Sequence, residues 1–171
     1  MAEDVAAVRQ VLAASEEPTV VVAHSYGGIV TAEAAAGIGT VHHLLLVSSY
    51  LPEVGESLSS FGGEEPAPFL AIDPDAGTFT VRPDALVETF LQDCDPEIQR
   101  EATAKTAWQS LHVLEQPVQS AAWQHTASTY LVGVELHDAA RATRELALQV
   151  GGGASVVDAD EVRRGCVLPG R

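Results

Sequence analysis

Ser25 is the residue whose surroundings give it chemistry. It stands in Val20-Val-Val-Ala-His-Ser-Tyr-Gly-Gly-Ile29, between a β-branched run and an Ala-rich helical stretch. A serine on a sharp strand-to-helix turn, with small residues two positions to either side, matches the nucleophile-elbow pattern G-x-S-x-G. Ala23 fills the first small position and Gly27 the second, so alanine replaces glycine once. The small residues let the backbone double back, and the turn is expected to hold Ser25 strained and exposed above a sheet. A helix N-terminus favours an oxyanion, and the backbone N–H of Tyr26 is expected to be one oxyanion-hole donor. The chemistry such a turn serves is acyl transfer through a serine ester. The same residues admit a plainer role, in which Ser25 only caps the helix that follows it.

The elements that must position this serine are legible on either side of it. Residues 3–14 repeat Val5, Val8, Val11 and Leu12 at helical spacing, with Asp4, Arg9 and Gln10 between them, which predicts an amphipathic helix. Ser15-Glu-Glu-Pro18 breaks it. Thr19-Val-Val-Val-Ala23 is a continuous β-branched run, the pattern of a strand buried on both faces. Ile29 to Ala36 predicts a helix that Gly37-Ile-Gly39 ends, and Leu44-Leu-Leu-Val-Ser-Ser49 predicts a second buried strand. Strand, helix and strand in this order make a βαβ unit, and hence a parallel sheet with a right-handed crossover.

The texture changes from Pro52 to about Gln119. Gly62-Gly63, Pro66, Pro68 and Pro74 make it irregular, Gly77-Thr-Phe-Thr-Val81 suggests a short hairpin arm, and helices are expected at 84–92 and 96–108. This stretch, about 52–119, reads as an inserted, mostly helical cap within one domain spanning 1–171. Strand character returns at Thr129-Tyr-Leu-Val-Gly-Val134. A helix is expected at 138–149, and Gly151-Gly-Gly153 leads into a last strand at Ala154-Ser-Val-Val157.

Composition bounds the partners. The chain has 171 residues, 9 Lys plus Arg against 24 Asp plus Glu, and a formal net charge of −15. Such a chain repels phosphate backbones and anionic membranes, so neither nucleic acid nor a membrane is expected as a partner. No apolar run approaches the roughly 20 residues that span a bilayer. Met1-Ala-Glu-Asp-Val5 carries no basic region ahead of an apolar stretch, and Cys94 and Cys166 make no disulfide framework, so the expected location is cytoplasmic. The histidines and acids lack metal-ligand spacing, and Gly151-Gly-Gly153 precedes a strand, not a helix, so no metal and no cofactor is expected.

Beyond the elbow, several phrases resemble the α/β-hydrolase fold superfamily, in particular small bacterial esterase-like members related to plant methylesterases and hydroxynitrile lyases. Val47-Ser-Ser-Tyr-Leu-Pro-Glu-Val-Gly-Glu-Ser57 is similar to the strand after the nucleophile helix and its P-x-x-G-x-S turn. Gly77-Thr-Phe-Thr-Val81 and Phe90-Leu-Gln-Asp-Cys-Asp-Pro-Glu97 resemble the family's cap. Gln116-Pro-Val118 and Trp123-Gln-His-Thr-Ala-Ser-Thr-Tyr-Leu-Val132 resemble the approach to the strand that carries the catalytic acid. The likeness covers roughly residues 3–158 and implies a partial α/β-hydrolase fold: a mainly parallel sheet flanked by helices, with a helical cap.

The resemblance also implies a triad in the order serine, acid, histidine, in which the histidine takes the serine proton and the acid holds it. The acid position falls by register at Leu136, between the carboxylates of Glu135 and Asp138. Asp138 is the candidate acid, with helix capping as its competing role. The family's histidine follows the last strand, where this chain has Val157-Asp-Ala-Asp-Glu161. All six histidines lie at or before position 137, and His137, beside the acid loop, is the substitute candidate for the base. Glu161, with an ordinary pKa of about 4.3, is a poor base for an alcohol.

Whole family members also carry earlier strands and an HG-type loop that supplies a second oxyanion N–H, and a different closing helix. Against that pattern both ends of this chain read as cut or diverged. The implied function is an esterase-like serine hydrolase acting on a small ester or acyl substrate, with its activity impaired if the base is missing. The alternatives are a non-catalytic remnant that binds a small apolar ligand or a partner chain, and the product of a degraded or mis-started gene. The edge of Thr19–Ala23 is expected to be open and apolar, and therefore covered by a homodimer contact or another partner.

Overall fold

The computed structural model describes residues 1–62, 65–132 and 154–158. The acid and base candidates Asp138 and His137, the helix expected at 138–149, and Asp160, Glu161 and Cys166 lie outside the described residues.

Branching at Cβ narrows the side-chain choices available in a helix and suits a pleated strand. The run after Pro18 accordingly forms strand β1 (Thr19–His24). Before it, helix α1 (Ala2–Ala13) buries Val5 and Leu12. After it, with no intervening loop, helix α2 (Tyr26–Ala34) buries Ile29, Val30, Ala32 and Ala34. Arg9 fastens the two helices, since its Nη1 donates to the carbonyls of Ala34 (3.0 Å) and Ala36 (2.8 Å). Those carbonyls lie at and just beyond the C-terminal end of α2, where acceptors lack helical partners and a cation is favoured. At the other end of α2 the Tyr26 hydroxyl donates to Asp4 Oδ2 at 2.7 Å.

Strand β2 (Val41–Val47) pairs in parallel with β1, Val21 opposite Leu44 and His24 opposite Val47. Strands β6 (Ser128–Val132) and β7 (Ala154–Asp158) extend the sheet on the far side of β2. The order is β1-β2-β6-β7, and every pairing in it is parallel. Four parallel strands bring their C-terminal ends to one edge, so Ser25, directly after β1, stands at the same edge as the last residues of β2, β6 and β7. The core lies between this sheet and the helices, with Leu44, Leu46, Ala32, Ala35, Trp123 and Tyr130 in one cluster.

The expectation that β1 is buried on both faces is corrected. Val20 is 61% and Val22 64% exposed, whereas Ala23 is 6%. Among the described residues β1 pairs only with β2, so it is an edge strand. Val21 and Ala23 pack with the α1–α2 side, while Val20 and Val22 point to the opposite face and remain uncovered.

By internal packing the chain divides into two compact units, Met1–Phe61 with Pro117–Arg171, and Gly62–Gln116. In the first, the segment that leaves and the segment that returns meet: the Gly55 N–H donates to the Val118 carbonyl (2.9 Å) and the Val118 N–H to that of Glu56 (2.8 Å). Trp123 Nε1 donates to the buried carbonyl of Pro52 at 2.9 Å and ties the same two segments. The second unit holds a small antiparallel sheet of β3 (Leu70–Asp73), β4 (Thr78–Val81) and β5 (Gln109–Ser110). Its helices are α3 (Pro83–Phe90), α4 (Pro96–Ala104) and the short α5 (His112–Glu115). The proline that opens α3 and the one that opens α4 fit, because a first-turn N–H has no helical partner to lose. Phe69 and Phe90 meet edge-to-face, with ring centroids 5.3 Å apart.

Candidate active site

The β1–α2 turn holds Ser25 at φ 49° and ψ −124°. Among the described residues only Ser25 and Ser48 have positive φ without being glycine. A side chain in this region is crowded by its own backbone, and the conformation costs on the order of 1–3 kcal/mol. The turn exists because β1 must end and α2 begin within one residue. The Ser25 N–H still completes the sheet by donating to the Val47 carbonyl (3.2 Å), while its carbonyl already accepts from the Gly28 N–H (3.0 Å).

The serine is half-buried, less open than the sequence suggests. It occupies the N-cap position of α2, yet its side chain makes no capping hydrogen bond. A capping serine turns its oxygen onto the N–H two or three residues ahead. Ser25 does not, so the plainer role read from the sequence has no bond to support it. Tyr26 follows as the first residue of α2.

The glycines of the motif separate in their importance. A Cβ built on Gly27 meets nothing closer than Ala23 Cβ at 4.0 Å, an ordinary contact. Ala23 in place of glycine is therefore accommodated without crowding. Gly28, outside the five-residue motif, has no such room: a Cβ there lies 1.5 Å from Ser49 Oγ and 2.7 Å from Ser49 Cβ. Helix α2 crosses the end of β2 at a separation that only glycine permits.

Sequence reasoning missed the partners of this crossing. Ser49 is 3% exposed, and its Oγ donates to the Ser25 carbonyl at 2.9 Å. Tyr130, 1% exposed on β6, donates its hydroxyl to the Ser49 carbonyl. The neighbouring Ser48 has φ 39°, and its N–H donates to the Leu131 carbonyl at 2.8 Å. The one advance signal was the second glycine of Gly27-Gly28 and the serine pair Ser48-Ser49, which the motif does not require. Tyr50, next in the chain, has its phenol pKa pushed up by burial and its ring 5.4 Å from that of Phe61.

The described histidines do not gather at Ser25. His42 is exposed near the N-terminal start of β2, the end of the sheet opposite Ser25. His43, on the same strand, pairs its Nε2 with Thr129 Oγ1 at 2.9 Å. His24, His112 and His125 are exposed. Among the described residues no group of three or more His, Cys, Asp or Glu is placed to hold a metal ion. A groove of about 280 Å³ lies at the far end of α2 from Ser25, lined in part by Ala36, Gly37, Gln119 and His125. It is not the serine's site.

A strained serine between a parallel strand and a helix, on a chain with this strand order, has a family counterpart. The alpha/beta hydrolase family matches residues 1–166. The chain belongs to that family. An alpha/beta hydrolase of Aspergillus novofumigatus, nvfD, is 27% identical over 143 residues, covering 76% of this chain and 57% of that protein. A pyrethroid hydrolase from Sphingobium faniae is similar in structure, with a TM-score of 0.72 at 19% identity, over 90% of this chain and 66% of that one. Tomato methylketone synthase I, complexed with beta-ketoheptanoate, has a TM-score of 0.71 at 13% identity, over 92% and 68%. Polyneuridine aldehyde esterase has a TM-score of 0.70 at 18% identity, over 95% and 75%. The chain thus spans a little over half of its curated relative's length and about two-thirds of the first solved structures. The alpha/beta-hydrolase fold, a parallel sheet flanked by helices, agrees with the expectation from the elbow and its flanking phrases. Among the described residues no helix is long and apolar enough to cross a membrane.

Proposed function

We propose that this alpha/beta-hydrolase family member is a serine hydrolase of esterase type, with Ser25 as nucleophile and a small ester or acyl compound as substrate. The observation that carries the reading is the Ser25 turn: a serine at φ 49°, at a helix N-terminus, with its hydroxyl not used as a cap. In the reaction Ser25 Oγ attacks the substrate carbonyl and its proton passes to a base. The developing oxyanion is met by the Tyr26 N–H, the alcohol leaves with the proton, and water then cleaves the serine ester. No cofactor enters these steps.

The base and acid of the proposal are His137 and Asp138. They follow β6, whose Leu131 pairs with Val47, the residue that accepts the Ser25 N–H. The C-terminal ends of β1 and β6 are two strand spacings apart, about 10 Å. The hydrolase and esterase names among the relatives support the reaction class. Residues of the second unit, Gly62–Gln116, are proposed as the cap that sets the substrate. The same proposal gives the protein a cytoplasmic location and a second copy of the chain as the cover for the β1 edge.

Labelling with a serine-directed fluorophosphonate tests the nucleophile. Wild type is expected to be labelled at Ser25, and Ser25→Ala to lose that label entirely. Ester turnover in Ser25→Ala should fall by on the order of 10⁴–10⁶, with residual activity over water left by binding and the oxyanion donor. A wild-type protein that takes no label at Ser25 supports instead a non-catalytic protein that binds a small apolar ligand.

A further inference from the structure

A serine with φ near +50° does not hold that conformation by its own preference, so the surrounding structure must impose it. The Ser25 peptide is gripped from three directions. Its N–H is bound to the Val47 carbonyl at 3.2 Å. Its carbonyl accepts both the Gly28 N–H at 3.0 Å and the Ser49 hydroxyl at 2.9 Å. The bond from Gly28 belongs to the helix that the turn opens. The other two come from outside both elements the turn joins, one from the last residue of β2 and one from Ser49 just beyond it.

Ser49 has one hydroxyl proton to give. The alternative acceptor, the Tyr50 carbonyl, lies at 3.5 Å, the limit of a useful bond, so the proton goes to Ser25. Ser49 is itself held from the strand adjacent to β2, because the Tyr130 hydroxyl of β6 donates to its carbonyl. Both side chains are buried, so water does not compete for these groups. The absence of a side chain at Gly28 is what lets Ser49 Oγ reach the turn. A continuous chain therefore runs from β6 through Tyr130 and Ser49 to the Ser25 carbonyl.

We infer that Ser49 and Tyr130 are positioning residues for Ser25, a buried hydroxyl clamp that holds the Ser25 carbonyl and so keeps the serine in its strained, presenting conformation. The inference rests on the reading of Ser25 as a nucleophile for its functional meaning. Its structural content stands on the three bonds. Neither residue touches a reacting atom; each acts through the Ser25 backbone.

The test compares wild type, Ser49→Ala and Tyr130→Phe, each of which removes one hydroxyl without adding volume. The second-order rate of fluorophosphonate labelling, per folded molecule, is expected to fall about 5- to 30-fold in Ser49→Ala and by a smaller factor in Tyr130→Phe. The pH profile of labelling should keep its inflection and lose only amplitude, because the base is untouched. A merely structural role would lower the melting temperature and leave the rate per folded molecule unchanged, and that result overturns the clamp. If Ser49→Ala does not fold, the Tyr130→Phe rate decides in the same way. If wild type takes no label, the nucleophile reading fails, and crystal structures of the two variants then judge the clamp. Ser25 relaxing to negative φ supports it, and Ser25 staying near +50° overturns it.

Discussion

Ser25 combines a positive φ, 49°, with the N-cap position of α2 at the end of β1. Its hydroxyl nevertheless makes no capping bond. Three residues beyond the end of β2, the half-buried Tyr50 stands in contact with Phe61, and burial raises its phenol pKa above the ordinary value of 10.0. A pKa raised in the folded state means that the fold favours the neutral phenol. That contribution is whole below the ordinary value and is lost as pH rises through the folded one. Urea melts between pH 9 and 11 should therefore show a steeper alkaline loss of stability in wild type than in Tyr50→Phe. Equal slopes would remove Tyr50 from the account.

At the scale of elements, the β1–α2 turn and the end of β2 are built as one unit around Gly28. A methyl group there would overlap Ser49 Oγ, so Gly28→Ala is expected to cost about 1–3 kcal/mol in chemical melting. The crowding atoms belong to Ser49 alone; the next neighbour is the Tyr50 carbonyl at an ordinary 3.4 Å. Placing the same change in a Ser49→Gly background should therefore make it nearly neutral, and a full penalty there would mean that the crowding lies elsewhere. The core of β2 behaves more simply. Leu44 is wholly buried, and Leu44→Ala should destabilise by roughly 2–5 kcal/mol.

For the whole molecule, charge and the β1 edge pull against each other. Backbone groups of alternate β1 residues face away from β2, and Val20 and Val22 stand more than half exposed beside them. An apolar open edge is a template for another strand, whereas a net charge of −15 makes two copies repel. If a second copy covers the edge, sedimentation velocity should show association that strengthens with added salt, as screening removes the repulsion. Val22→Lys should abolish it. A monomer at every salt and protein concentration would sink the dimer.

The strand-to-helix turn, the parallel βαβ order and the place of Ser25 were readable from residues 19–49 because they are local. β-branching, small residues at a tight turn and an Ala-rich helix act within a few positions of one another. Which face of β1 is covered was not readable, since Val20, Val21 and Val22 are alike in the sequence and differ only in what packs against them. The clamp was hidden for the same reason. Ser49 lies 24 positions from Ser25 and Tyr130 lies 81 from Ser49. Their meeting depends on β6 pairing beside β2 and on α2 crossing close at Gly28. Sequence determined that a serine turn would form; the tertiary structure decided what holds it.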